Sequence, residues 1–173
     1  MQALPEGDYE NCIFLHCNFA DADLSNRNFI TCEFTGCNLS SAKLNKTAFR
    51  DVKFNDCKML GLHFEHCNEF LFAAGFESCM LNFCSFYKLK LKKTLFRNSS
   101  LQETDFTEAD LSSAIFDNCD LSLAAFDHTI LEKADFRTSY NYSIDPEMNR
   151  VKKAKFSNTG IAGLLHKYDL EIE

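Results

Sequence analysis

Residues 96–126 read FRNSS LQETD FTEAD LSSAI FDNCD LSLAA F, and each group of five begins on Phe or Leu. The pattern extends in both directions. One run places Phe, Leu or Met at every fifth position from Phe14 to Phe64, and a second, offset by two residues, runs from Leu71 to Phe136 with Leu and Phe in strict alternation. A period of five matches neither the 3.6 of a helix nor the 2 of a strand, so the chain turns a corner once per repeat and builds a solenoid.

Two residues before each large apolar position stands a smaller one, such as Cys12, Cys17, Ala22, Cys32, Thr104, Ala109 or Ala134. One large and one small inward residue per five-residue side suits a narrow, filled tube. Arg27, Leu62 and Leu89 are the misfits on the small phase. Fifteen of the 18 phenylalanines fall on the large inward phase, so the aromatic content reads as core and not as a ligand box.

Segments such as AlaAspLeuSerSer at 109–113 and AlaAspPheArgThr at 134–138 resemble the pentapeptide-repeat family. The resemblance covers about residues 7–160. It implies an all-β solenoid, a right-handed quadrilateral β-helix with four pentapeptides, hence twenty residues, per coil. Leu71, Leu91, Leu111 and Leu131 then form one column, and Phe76, Phe96, Phe116 and Phe136 the next. Coils about 4.8 Å apart would stack like rings into ladders. The whole chain, 1–173, is expected to be one pentapeptide-repeat domain with a C-terminal cap or dimerisation segment at 158–173.

The first ten residues carry Glu6, Asp8 and Glu10 with no basic residue or apolar run, and no stretch approaches the ~18 apolar residues of a membrane span. A cytoplasmic protein is the expectation. All nine cysteines fall on the small inward phase, so they read as reduced core residues and not as a disulfide or metal framework. No nucleophile motif, phosphate loop or inward acid–base–histidine set is present, so neither an enzyme nor a cofactor is expected.

The period breaks at two places. Phe64 to Leu71 spans seven residues, which puts two extra residues in Glu65–Phe70. Around this bulge Phe70, Phe72, Met80 and Phe83 fall on outward phases and read as an apolar partner-contact patch. After Phe136, Asn141 and Pro146 stand where core residues are expected. Beyond them Ile161, Leu164, Leu165 and Tyr168 follow helical spacing, with Asn158 or Thr159 as N-cap, and Leu170 and Ile172 alternate with acids as an edge strand would.

Net charge is −7 and unevenly placed: residues 103–135 hold nine acids against Lys133, whereas residues 78–102 hold five bases and no acid. The twenty-residue register pairs Lys88 with Glu108, Lys90 with Asp110 and Arg97 with Asp117, and leaves Glu103, Asp105 and Asp120 without a basic residue one coil before them. An acidic surface favours a basic protein partner over nucleic acid. The chain is similar to the quinolone-resistance group of the family. That resemblance implies DNA mimicry on DNA gyrase or topoisomerase IV, and a homodimer joined through the C-terminal segment by Ile161, Leu164, Leu165 and Tyr168. The single two-residue bulge is smaller than the projecting loops of many resistance proteins. The alternative reading is an interaction scaffold with a different protein partner.

Overall fold

The computed structural model describes residues 4–171. The chain winds as a four-sided parallel β-solenoid. On one side β1 (Asp8–Glu10), β3 (Asn28–Ile30) and β5 (Ala48–Arg50) pair with a register of twenty residues, Tyr9 over Phe29 over Phe49. The next side stacks β2 (Ile13–Leu15), β4 (Glu33–Thr35), β6 (Val52–Asn55), β7 (Ala74–Glu77), β8 (Leu95–Arg97) and β9 (Ile115–Asp117), one strand per coil. The other two sides are built from single parallel bridges at the same register, such as Ser100 with Asp120 and Ser85 with Asp105.

We number the walls by their core columns. Wall 1 carries Phe14, Phe34, Phe54, Phe76 and onward to Phe156. Wall 2 carries Phe19, Leu39, Met59, Leu81, Leu101 and Leu121, wall 3 Leu24, Leu44, Phe64, Phe86, Phe106 and Phe126, and wall 4 Phe29, Phe49, Leu91, Leu111 and Leu131. Rings on wall 1 stack nearly parallel with centroids 4.6 Å apart for Phe14 and Phe34, 5.1 Å for Phe76 and Phe96, and 5.4 Å for Phe136 and Phe156. Wall 3 repeats this, Phe86 over Phe106 at 5.3 Å. The two ladders meet edge to face, as in Phe96 and Phe106 at 5.9 Å. Offset stacking along a column and T-shaped contact between columns are the two favoured aromatic geometries, so the tube fills without strain.

The small inward residue has a second role beyond its size. Thr47 Oγ1 donates to the Leu24 carbonyl at 2.8 Å, Thr104 to Leu81 at 3.0 Å and Thr129 to Phe106 at 2.9 Å; each acceptor is the core residue one coil back. Thiols do the same: Cys37 reaches Phe14 and Cys57 reaches Phe34, both at 3.3 Å, and Cys84 reaches Met59 at 2.8 Å. A carbonyl has two lone pairs, and a buried one gains from a second donor. All nine cysteines are free, and burial pushes the Cys37 and Cys119 thiols up to about 11 and the Cys84 thiol to about 12. Arg27, a misfit on this phase, turns its guanidinium to the Leu4 and Ser25 carbonyls and so ties the N-terminal segment across the first coil.

The breaks resolve differently from the reading of the sequence. Asn68 still pairs with Thr47 at 2.8 Å, and the next regular contact is Val52 N–H to Ala73, so the extra residues lie between Asn68 and Ala73, overlapping only the end of Glu65–Phe70. Leu71, expected inside, is 63% exposed with φ +59°, and Phe72, expected outside, packs against Phe49 and Phe64. The ring fills the gap between Phe49 and Leu91 better than the shorter leucine, and the corner takes up the slip. Phe64–His66 forms a short 3-10 turn at this point. In the last coil Asn141 likewise moves to a left-handed corner, φ +60°, while Tyr142 and Ile144 enter the core in place of Asn141 and Pro146.

The C-terminal segment forms two 3-10 turns, Asn158–Leu164 and His166–Tyr168, instead of one α-helix. Ser157, not Asn158 or Thr159, is the N-cap, its Oγ accepting the Gly160 N–H at 3.0 Å. Gly160 and Gly163 lie directly on Tyr142, where a Cβ at either would overlap its side chain or backbone. No strand forms at Leu170, and Ile172 lies outside the described residues.

Because Phe106 is fully buried between Phe86 and Phe126, Phe106→Ala leaves a cavity that its stacked neighbours cannot close. We expect a loss of about 3–5 kcal/mol, read by thermal or denaturant unfolding. A loss of less than about 1 kcal/mol would show that the coils can collapse around the vacancy.

Candidate partner-binding surface

Two residues after each core position the chain turns its corner with φ near +55°, in nearly every repeat, and only Gly36 and Gly61 are glycines there. The left-handed conformation costs a residue with a Cβ roughly 1–2 kcal/mol, least for Asn and Asp. It is held because the corner N–H binds the next coil, as Glu103 does to Ser122 at 2.9 Å. One corner stands out. Between walls 2 and 3 it carries Phe83, Glu103 and Leu123 in consecutive coils, with Phe83 56% and Leu123 80% exposed.

On the flanks of this corner, Met80, Ser100, Asp120 and Tyr140 stack up wall 2, and Ser85, Asp105 and Ala125 up wall 3. The corner therefore brings together five of the expected contact residues: Met80, Phe83, Glu103, Asp105 and Asp120. It does not include Phe70 or Phe72. Phe72 is in the core, and Phe70 lies on the bulge of wall 4, opposite wall 2, under the Arg50 guanidinium at 5.8 Å. The expected four-residue apolar patch is thus divided between opposite sides of the rod. Leu123 and Tyr140, exposed beside Glu103 and Asp120, belong to the surface that does form.

The acids divide by their chemistry. The residue just before a core position is often Asp or Asn, and its side chain accepts the N–H two residues on: Asp105 from Thr107 at 2.9 Å, Asp110 from Ser112 and Asp120 from Ser122 at 3.1 Å. These are Asx turns that hold the corner. Repetition of Asp or Asn at this one phase was the signal for them in the sequence. Lys88 pairs with Glu108 at 3.4 Å and Arg97 with Asp117 at 3.0 Å, as the register implies. Asp110, however, pairs with Lys92 at 3.2 Å and not with Lys90, because Ser112 draws its carboxylate toward the far end of the wall. Glu132 pairs with Arg150 and Asp135 with Arg137 and Lys155.

Glu103, Asp105 and Asp120 have no cation within salt-bridge reach among the described residues. Burial works to raise the Asp120 pKa, but donors from Ser122, Gln102 and Asn141 outweigh it and hold the carboxyl below its ordinary value. From Met80 to Glu147, walls 2 and 3 and the corner between them contain no Lys or Arg except Lys88, which stands at the far corner of wall 3 and is paired with Glu108.

Residues 4–69 and 27–106 match the family described as the pentapeptide repeat region, and residues 104–139 match pentapeptide repeats (8 copies). The chain is a pentapeptide-repeat protein. Among solved structures it is similar to QnrB1, a plasmid-mediated fluoroquinolone resistance protein. One trypsin-treated variant of that protein aligns at 20% identity over 96% of this chain and 90% of the other, with a TM-score of 0.64. The full-length form aligns at 19% identity over 94% and 90%, with a TM-score of 0.56. These likenesses concern the fold. No curated protein matches the chain in sequence.

The C-terminal turns fold back on the last coil. Lys167 Nζ bridges Asp145 at 2.8 Å and Glu147 at 2.7 Å, and Tyr168 Oη donates to Glu147. Leu164 packs on the core and Leu165 is half-buried, whereas Ile161, Tyr168 and Leu170 face outward. At the opposite end, a cavity of about 610 Å³ opens beside Phe19 and Leu24, lined also by Leu4 and Arg27. It is remote from the acidic corner. Among the described residues no helix is long and apolar enough to cross a membrane, and no group of His, Cys, Asp and Glu side chains is placed to hold a metal ion.

Leu123 pays twice, in exposure and in left-handed backbone. Leu123→Asn is expected to raise stability by about 0.5–1 kcal/mol, since Asn adopts this conformation more readily. A lower melting temperature would mean that Leu123 is held by contacts within the rod.

Proposed function

We propose that this pentapeptide-repeat protein is a non-enzymatic DNA mimic that binds a type II topoisomerase, DNA gyrase or topoisomerase IV, in the cytoplasm and shields it from quinolones. The observation that carries the reading is one acidic corner in the upper coils: three carboxylates without a Lys or Arg ion-pair partner, Glu103, Asp105 and Asp120, between walls 2 and 3. Duplex DNA presents about one charge per 1.7 Å, and the roughly 8 Å of rod built by residues 103–135, at ~4.8 Å per coil, keeps Glu103, Asp105, Asp120 and Asp127 without a Lys or Arg partner after the other five of its nine acids are paired. Similarity to QnrB1 in coil architecture supports the same reading. Among the described residues the interior of the rod is filled by aromatic and aliphatic side chains, which suits a binding role carried on its outer faces.

A second reading, an interaction scaffold for a different protein, draws on Met80, Phe83, Leu123 and Tyr140, whose exposed apolar surface suits a less electrostatic contact. The two are separated by salt and by choice of carboxylate. Neutral substitutions are preferable to reversals, because Asn preserves the Asx turn at 105 and 120. Glu103→Gln with Asp105→Asn and Asp120→Asn should weaken topoisomerase binding about tenfold, and Glu108→Gln with Asp110→Asn by less than threefold, with affinity falling steeply between 50 and 300 mM salt. No binding to either enzyme at low salt by the folded protein would reject mimicry and favour the scaffold.

We further infer a two-fold dimer through the C-terminal end, where Ile161, Tyr168 and Leu170 present an apolar face beside half-buried Leu165. Ile161→Asp, which leaves the packed Leu164 untouched, should convert dimer to monomer in sedimentation. A monomeric parent protein would reduce the segment to an end cap.

A further inference from the structure

The corner diagonally opposite the acidic one, between walls 4 and 1, has the reverse character. Consecutive coils place Lys93, Ser113, Lys133 and Lys153 there, held in line by Lys93 N–H to Ser112 at 3.0 Å, Ser113 to Glu132 at 2.8 Å and Lys133 to Lys152 at 3.0 Å. Lys90 and Lys152 flank them on wall 4. All five lysines are exposed, and none has a carboxylate within 4.0 Å among the described residues. The acids on these two walls in the coils from Lys93 to Lys153 are already neutralised. Asp110 is held by Lys92, Asp117 by Arg97 and Glu132 by Arg150, while Asp135 has both Arg137 and Lys155.

We propose that this basic corner is a binding edge for the phosphate backbone of duplex nucleic acid, read without regard to sequence. The inference is independent of topoisomerase binding. The column from Lys93 to Lys153 spans three coils, about 14 Å, a length of duplex axis that carries about eight phosphate charges at one per ~1.7 Å. The column carries point charges and one serine, with no aromatic or aliphatic anchor. A protein interface draws most of its energy from such anchors, whereas a phosphate backbone requires only cations that release condensed counterions. The net charge of −7 does not oppose this in these coils, because the acids of residues 103–135 that lack a Lys or Arg partner sit across the rod, and Asp51 and Glu77 on walls 4 and 1 lie in the coils below Lys93. With walls of about 10 Å, the diagonal is roughly 14 Å, beyond the ~10 Å screening length at 0.1 M salt.

The test is fluorescence anisotropy of a labelled 20-base-pair duplex of mixed sequence between 25 and 200 mM NaCl. The parent protein should bind at 25 mM, and Lys93→Gln with Lys133→Gln and Lys153→Gln should weaken binding at least tenfold, lowering the salt slope by about one per lysine removed. Melting of the variant establishes that these exposed changes leave the fold intact. Glu103→Gln with Asp105→Asn and Asp120→Asn serves as the opposite-corner control and should bind DNA as well as the parent or better. Absence of parent binding at 25 mM, an unchanged triple-lysine variant, or equal capture of a polyglutamate peptide would each overturn the proposal, the last by showing an edge for acidic polypeptides instead.

Discussion

The coil-to-coil hydrogen-bond ladder governs everything else in this molecule, because it fixes the distance at which core groups must meet. Parallel pairing spaces the coils at about 4.8 Å, and the stacked ring centroids on walls 1, 3 and 4 follow it, from 4.5 Å between Phe64 and Phe86 on wall 3 to 5.5 Å between Phe29 and Phe49 on wall 4. Rings in offset stacking fill that interval, which is why phenylalanine recurs. The same ladder holds nearly every corner residue in a left-handed conformation that it would avoid in isolation. An added residue cannot be accommodated in the ladder and must be expelled at a corner, as Phe70 and Leu71 are.

Seen from this constraint, what was legible in the sequence was whatever repeats. The period of five, the twenty-residue register, the inward thiols and the outward Met80 and Phe83 all follow from phase alone. The errors cluster where phase is lost and local fit decides. At Leu71 and Phe72, and again at Asn141 and Tyr142, the chain has a choice of which neighbour to bury, and the larger ring that fills the column takes the core. Counting positions cannot foresee that choice. Lys92 in place of Lys90 opposite Asp110 is a similar case, since a flexible side chain answers to the carboxylate's tilt and not to backbone register. The C-terminal 3-10 turns depend on the contact of Gly160 and Gly163 with Tyr142, a residue that phase places outside the core.

The charges illustrate a further limit of one-dimensional reading. Acids in residues 103–135 sum to a strong negative segment, yet several serve the fold: Asp105, Asp110 and Asp120 close Asx turns, and Glu108, Asp117, Glu132 and Asp135 are matched by cations in neighbouring coils. Subtracting these pairs does not leave a uniform acidic rod. It leaves Glu103, Asp105 and Asp120 at one corner and Lys93, Lys133 and Lys153 at the diagonal one.

A solenoid can sustain such a division because its walls are chemically independent. Outward positions five residues apart belong to different walls, whereas those twenty apart belong to the same one, so a surface is written in the sequence at intervals of twenty and is invisible to any shorter window. The core tolerates little change at any phase, but the outward positions answer only to their vertical neighbours. A polar face can therefore be altered wall by wall without disturbing the ring ladder beneath it. On this rod that freedom has separated acidic from basic side chains across a filled aromatic interior, which keeps the two fields from cancelling through intervening side-chain pairs.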